Sequence, residues 1–315
     1  MKNNIVKDGS TKKRASRLTL GPLFFHWPAE KRRDFYFRIA DEAAFDCVYL
    51  GEVVCSKRES FFEEFLPVVA DRLRAAGKEV IVSTLALVTS ERERRAIESH
   101  AAAGGLIEAN DVACLQALQK SAHIIGPFIN VFNEGARDFL VRNNAARIVL
   151  PVETPAHSIG VIAKKKNVEI EVMVFGRQPL AVAMRCYHAR AHGLTKDSCQ
   201  FVCSLNADGL PVDTLDGQRI LTINGTQTMA HGYVVLLNEL AQLQKMSISH
   251  FRLSPQNVDM VGVARVYRSV LDKNIVPEEA MLQLKTLTRG VPFVNGFFHA
   301  REGLAWVEDN RKVAS

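Results

Sequence analysis

Short β-rich runs alternate with helical stretches along the 315-residue chain, and no glycine-rich fingerprint opens the first helix. Together these predict an α/β fold: an eight-stranded parallel TIM-like (β/α) barrel, with a cysteine-bearing insertion after the seventh strand. Helices between strands imply parallel pairing. Eight βα units need roughly 250 residues. An open doubly wound sheet is the runner-up, weakened because it would carry a glycine-rich turn after its first strand.

The strands read, in order, as Leu18–Phe25, Cys47–Gly51, Glu79–Leu87, Leu106–Ala109, His123–Ile129, Arg147–Val152, Val168–Phe175 and Phe251–Leu253. Helical periodicity fills most of the gaps. Ala29–Ala44 sets Phe35, Phe37 and Ile39 among charges, and Ser60–Ala76 spaces Phe65, Val68, Val69 and Leu73 helically. Glu91–Ala103, Asp111–Lys120, Glu134–Asn143 and Tyr233–Lys245 read the same way. Residues 176–232 break the rhythm. They hold three of the six cysteines and a hairpin signal, Asn224-Gly225 after Arg219–Ile223. In a barrel such an insertion lies at the C-terminal face, where active sites are built. The predicted organisation is a basic flexible tail over 1–17, one barrel domain over 18–304 and a short tail over 305–315.

A mixture of 47% hydrophobic and 23% charged residues excludes wholesale disorder and a disulfide-stapled design. The net charge of +6 is local. Lys2, Lys7, Lys12, Lys13, Arg14 and Arg17 face only Asp8 in the tail, so the remaining body is almost neutral. That does not describe a nucleic-acid binder. With no apolar leader and no run long enough to span a bilayer, the expected compartment is the cytoplasm. In that reducing environment, cysteines serve as metal ligands or small buried hydrophobes rather than disulfides.

Nucleotide, zinc-protease and serine-hydrolase signatures are absent, as is any Cys-x-x-Cys. His123 and His250 read as structural. Cys186, Cys199 and Cys203 form C-x12-C-x3-C inside the insertion, in a polar, irregular segment with Lys196 and Asp197. Cys55 follows the second strand, and in a barrel its loop shares a face with the insertion. Four soft thiolates there suit zinc or an iron–sulfur cluster, while unrelated core cysteines remain the plain alternative. Cys47 and Cys114 sit in apolar patterns and read as core. Lys57 and Arg185 stand near the candidate ligands, where they balance an anionic centre or are simply solvated. At strand ends, Glu52, Asn110, Glu153 and Gln256 are candidates for a substrate pocket or for capping and support; the first three are the chosen pocket residues.

Several motifs in one order carry a resemblance. They are Tyr49-Leu-Gly-Glu52 with Cys55-Ser-Lys-Arg58, Ser83-Thr-Leu-Ala-Leu87, Leu150-Pro-Val-Glu153 and Glu171-Val-Met-Val-Phe-Gly176. Arg185-Cys-Tyr-His-Ala-Arg190, Asn224-Gly-Thr-Gln-Thr-Met229 and Arg252-Leu-Ser-Pro-Gln256 continue the series. From about Leu18 to about Leu304 the chain resembles the collagenase-like peptidase family U32, and within it the ubiquinone-biosynthesis branch. The resemblance implies an eight-stranded barrel, a 4Fe-4S cluster, and a role in oxygen-independent hydroxylation beside a UbiU-like paralogue in a heterodimer. It departs from the broad family where Phe175-Gly176 replaces a His-Gly pair and Pro179 stands in place of a cysteine. Cys186 keeps the second cysteine of that pattern, and the resemblance implies that Cys55 supplies the missing thiolate. The lost histidine removes the basis for a catalytic role taken from the wider family, and no nucleophile arrangement supports proteolysis. The expected function is that of a cluster-bearing subunit of a hydroxylase complex. A four-cysteine zinc scaffold without catalysis is the alternative, and a peptidase is the third.

Overall fold

The computed structural model describes residues 16–308. The predicted tail and the last residues, 1–15 and 309–315, lie outside them. The chain begins with β1 (Arg17–Leu20), α1 (Ala29–Glu42), β2 (Cys47–Gly51), α2 (Leu66–Ala75), β3 (Glu79–Ser83) and α3 (Glu91–Ala103). It continues through β4 (Ile107–Ala109), α4 (Ala113–Leu118), β5 (His123–Ile125), α5 (Glu134–Arg142), β6 (Ala145–Val149) and α6 (Ala156–Ile162). β7 (Glu169–Val182) leads into the insertion, which carries α7 (Tyr187–Ala191), β8 (Leu210–Asp213), β9 (Arg219–Asn224) and β10 (Gln227–Val235). The chain then runs through α8 (Leu240–Lys245), β11 (His250–Leu253), α9 (Met260–Leu271), α10 (Pro277–Leu287) and β12 (Phe293–Val294).

β1 to β7 pair in sequence order, all parallel, and β11 pairs in parallel with both β7 and β1. This closes an eight-stranded (β/α) barrel from the eight segments read as strands. Local chemistry explains the helix starts. Ser90 and Glu93 form a reciprocal capping box on α3, and the Asn133 side chain caps α5 by accepting from Ala136 N.

Three assignments change. Tyr233–Lys245 is not one helix: β10 runs to Val235, and α8 starts only at Leu240. The stretch Tyr233–Leu237 is buried throughout, and a continuous apolar run has no period to separate strand from helix. β7 does not stop at Phe175. It continues to Val182, pairing antiparallel with β10, with Gly176 at φ +116°. A side chain there would press on Ser254 Cβ at 2.7 Å, so only glycine fits. Helices α6, α9 and α10 lie outside the stretches picked out by periodicity. In α9, eight of twelve residues are buried, which erases the polar face a periodic reading needs.

Arg17 is the first residue of β1, and Ala305 and Val307 hydrogen-bond back to Asn295 and Gly296, so both belong to the fold. Beyond the barrel, β7–β10–β9–β8 form an antiparallel sheet continuous with it. The hairpin at Asn224-Gly225 is present, with Gly225 at φ +64° in a two-residue loop. Among the described residues no helix is long and apolar enough to cross a membrane.

Candidate metal centre

The loop after β2 and the insertion meet at the C-terminal side of the barrel. There Cys55, Cys186, Cys199 and Cys203 line a single recess of about 330 Å3, including its open mouth. Each cysteine is set by its own local device. Glu52 Oε1 accepts from the amides of Val54 (3.0 Å) and Cys55 (3.1 Å), which curls the loop beneath Cys55. Cys186 stands at the N-terminus of α7, its Sγ accepting from Ala189 N at 3.4 Å. Between Cys199 and Cys203 the chain reverses through two successive left-handed residues, Gln200 (φ +46°) and Phe201 (φ +54°). Each costs about 1–2 kcal/mol for a side-chain-bearing residue, which marks a turn imposed by what it positions.

Arg58 lies beneath the thiols, 2% exposed. Its guanidinium donates to the Phe24 carbonyl (2.9 Å) and to Asn224 Oδ1 (3.2 Å), and stands 4.0 Å from Glu52. It thereby pins the β2 loop to the hairpin. Gly225 must be glycine for this, because a Cβ there would sit 2.4 Å from Arg58 Nη2. Thr226 Oγ1 adds a bond to the Val54 carbonyl at 2.8 Å. On the rim, Lys57 ties the same loop to the carbonyls of Lys196 (2.9 Å) and Asp197 (3.1 Å). Of the two cations singled out in the sequence, Lys57 lines the recess and Arg185, exposed, does not. Arg58 escaped notice because nothing in the order Cys-Ser-Lys-Arg says which cation turns inward.

Burial pushes the thiols of Cys55 and Cys203 above the ordinary range, while the Arg58 charge pulls both back. A soft metal centre would convert such thiols to thiolates and place its negative charge against Arg58. Among the described residues no group of three or more His, Cys, Asp or Glu side chains is spaced to hold a metal ion. Cys55, Cys186, Cys199 and Cys203 line one recess with Arg58 in its wall, and four soft sulfur donors of this kind suit zinc or an iron–sulfur cluster.

The strand-end candidates fall elsewhere. Glu52 is buried behind Cys55 in the bonds just described. Asn110, also buried, donates to the Thr84 carbonyl (3.0 Å) and Glu108 Oε2 (3.2 Å), leaving its Oδ1 without a partner. Glu153 is half-buried, and burial raises its carboxyl. Gln256 is fully buried with Oε1 unpartnered. A cavity of about 360 Å3 opens at the barrel mouth, with Phe24, Leu150, Met173, Arg252 and Ser254 in its wall. None of the three chosen pocket residues lines it.

The barrel interior holds a polar network that the sequence does not disclose. Arg252 donates to Glu171 Oε1 (2.6 Å) and Glu108 Oε1 (2.7 Å) and lies 4.1 Å over the Tyr49 ring. Tyr49 donates to Glu171 Oε2 at 2.6 Å, and Arg147 donates to Tyr49 at 3.1 Å. Burial alone would raise the Glu171 carboxyl, but Arg252 and Arg147 outweigh it and hold it down at about 2. Cys47 lies inside this barrel and Cys114 on the buried face of α4, and neither lines the recess.

Among solved structures, the chain is similar to a chain of the tryptophan synthase complex from Pyrococcus furiosus. The identity is 10% and the TM-score 0.42, over 88% of this chain and 99% of that one. The model of peptidase family U32 matches residues 35–308, nearly the whole of the barrel and all four recess cysteines. The chain belongs to peptidase family U32.

Proposed function

We propose that the chain is an iron–sulfur subunit of the ubiquinone-biosynthesis, UbiV-like branch of the family, working with a UbiU-like paralogue in oxygen-independent hydroxylation. The observation that carries this reading is the recess. Four thiols from segments about 130 residues apart in sequence face one space above a buried arginine. Cys55, Cys186, Cys199 and Cys203 would hold a 4Fe-4S cluster, which supplies one-electron transfer when bound. Arg58 and Lys57 would offset its charge, and Glu52 would keep Cys55 in place. No nucleophile arrangement supports peptide hydrolysis. Met184 and Leu205 stand 65% and 71% exposed on the same insertion, apolar surface that suits a partner subunit. Asn110, whose Oδ1 is buried without a partner, would be a support of the barrel mouth rather than part of its cavity wall. Glu52 reads as the brace of Cys55, and Glu153 as a half-open neighbour.

Purification without oxygen, followed by iron, sulfide and zinc analysis, tests the cofactor. Brown protein with matching iron and sulfide is expected, lost in Cys55→Ala, Cys186→Ala, Cys199→Ala and Cys203→Ala. Colourless protein with zinc would overturn the cluster. Quinone content by mass spectrometry tests the pathway. A deletion strain, and one carrying Cys199→Ser, should lack ubiquinone made without oxygen and keep ubiquinone made in air. Normal anaerobic ubiquinone in the deletion strain rules the role out, and failure to co-elute with the paralogue rules out the heterodimer.

A further inference from the structure

A second cleft lies apart from the cysteines, between the insertion sheet and the turn that follows α10. It encloses about 710 Å3 up to its open mouth, and Arg177, Asp208, Arg219, His231 and Arg289 stand in its wall. The charged lining is three arginines against one aspartate.

Arg177 forms the floor. It is 2% exposed, 5.0 Å from the centre of the Tyr233 ring, and bonded to Asp208 Oδ2 (2.5 Å) and to the His231 carbonyl. Even so, its Nε–H has no partner, and neither does Asp208 Oδ1. A buried donor and a buried acceptor are thus both unmet at one place, where such groups ordinarily find partners. Arg219 reaches Asp213 at the exposed edge, 3.3 Å away. Arg289 is exposed, makes no ion pair among the described residues, and is held at φ +53° just past the end of α10. Guanidinium groups match phosphate oxygens in a fixed fork geometry, and Arg289, with no carboxylate partner among the described residues, gives the cleft a surplus positive charge.

We propose that this cleft is a binding site for a hydroxyl-bearing phosphate monoester, the phosphate taken by Arg177, Arg219 and Arg289 and the hydroxyl donating to Asp208 Oδ1. Nothing in this site depends on the cysteines, so it stands or falls separately from the cluster.

Calorimetry on the full-length protein with inorganic phosphate, glycerol 3-phosphate and succinate is the test. Glycerol 3-phosphate should bind more tightly than inorganic phosphate, and succinate weakly or not at all. Arg289→Gly suits the left-handed backbone at that position, so it spares the fold. It should weaken glycerol 3-phosphate about tenfold or more, the worth of one charge-assisted bond. Arg219→Gln should act in the same direction. The His231 imidazole, held below its ordinary range by burial and then by Arg177 and Arg219, should titrate higher in the complex, as read by NMR. Three results overturn the proposal: no binding of either phosphate, binding unchanged in both variants, or succinate equal to glycerol 3-phosphate.

Discussion

The barrel interior and the cysteine recess both bury ionisable groups, but they treat them in opposite ways. Inside the barrel, Arg252 faces Glu108 and Glu171, Tyr49 joins Glu171, and Arg147 reaches Glu79, Glu169 and Tyr49. Charges of both signs meet at hydrogen-bonding distance. In the recess, four thiols of one kind line a space with the Arg58 guanidinium in its wall. A network closed on itself holds the fold in one register, whereas a convergence of one donor type leaves its chemistry for a ligand.

The largest effect should come from opening the closed network. Arg252→Met removes the cation between two carboxylates that are 0% exposed. Leaving buried charge unpaired costs about 3–5 kcal/mol, to be read by urea unfolding. A loss below about 1 kcal/mol would mean that water already reaches these groups and that the contrast with the recess is overdrawn.

Acid gives the next effect. Burial lowers His250 to about 4, with Glu171 opposing and Arg147 adding. Its folded value lies below its unfolded value of 6.5, so the folded state binds fewer protons between the two. Its contribution is therefore complete above pH 6.5 and is lost as pH falls towards 4, amounting to about 3 kcal/mol. The Glu171 part comes later, as pH falls from 4.5 towards 2. Stability measured from pH 7.5 to 4 should decline in the wild type and more shallowly in His250→Gln. Equal slopes would remove His250 from the account.

The smallest effect sharpens the comparison among the cysteines themselves. Cys47→Ala and Cys114→Ala each delete one small buried group and should cost about 1 kcal/mol while leaving iron content intact. Loss of iron from Cys47→Ala, with retention in Cys55→Ala, would move the metal centre from the recess to the barrel.

The closed barrel was legible because its strands are short apolar runs, most of them followed by an amphipathic helix. The grouping of the cysteines was legible for a topological reason: loops that follow barrel strands share one face, so Cys55 and a stretch far along the chain could be brought together on paper. The interior network was not legible. Arg252 and Glu108 are 144 residues apart, and an alternating strand reads the same whichever residue answers its charge. Glu52 was legible as a polar group at a strand end, but its task was not. Only the folded loop shows its carboxylate turned back to the amides of Val54 and Cys55. The arginine cleft stayed hidden because Arg177, Arg219 and Arg289 come from three elements with no common motif.

β7 is fourteen residues long and serves both the parallel barrel and the antiparallel extension of the same sheet. Its first half closes the barrel and its second half is the spine of the insertion. No flexible joint separates them along this strand, so the cysteine-bearing segment is not an accessory that can swing away or be trimmed off. Cutting the chain after Phe175 would leave the neighbouring backbone of β10 without its partner and open the wall of the barrel. The two parts should therefore resist protease as one piece and melt in a single transition.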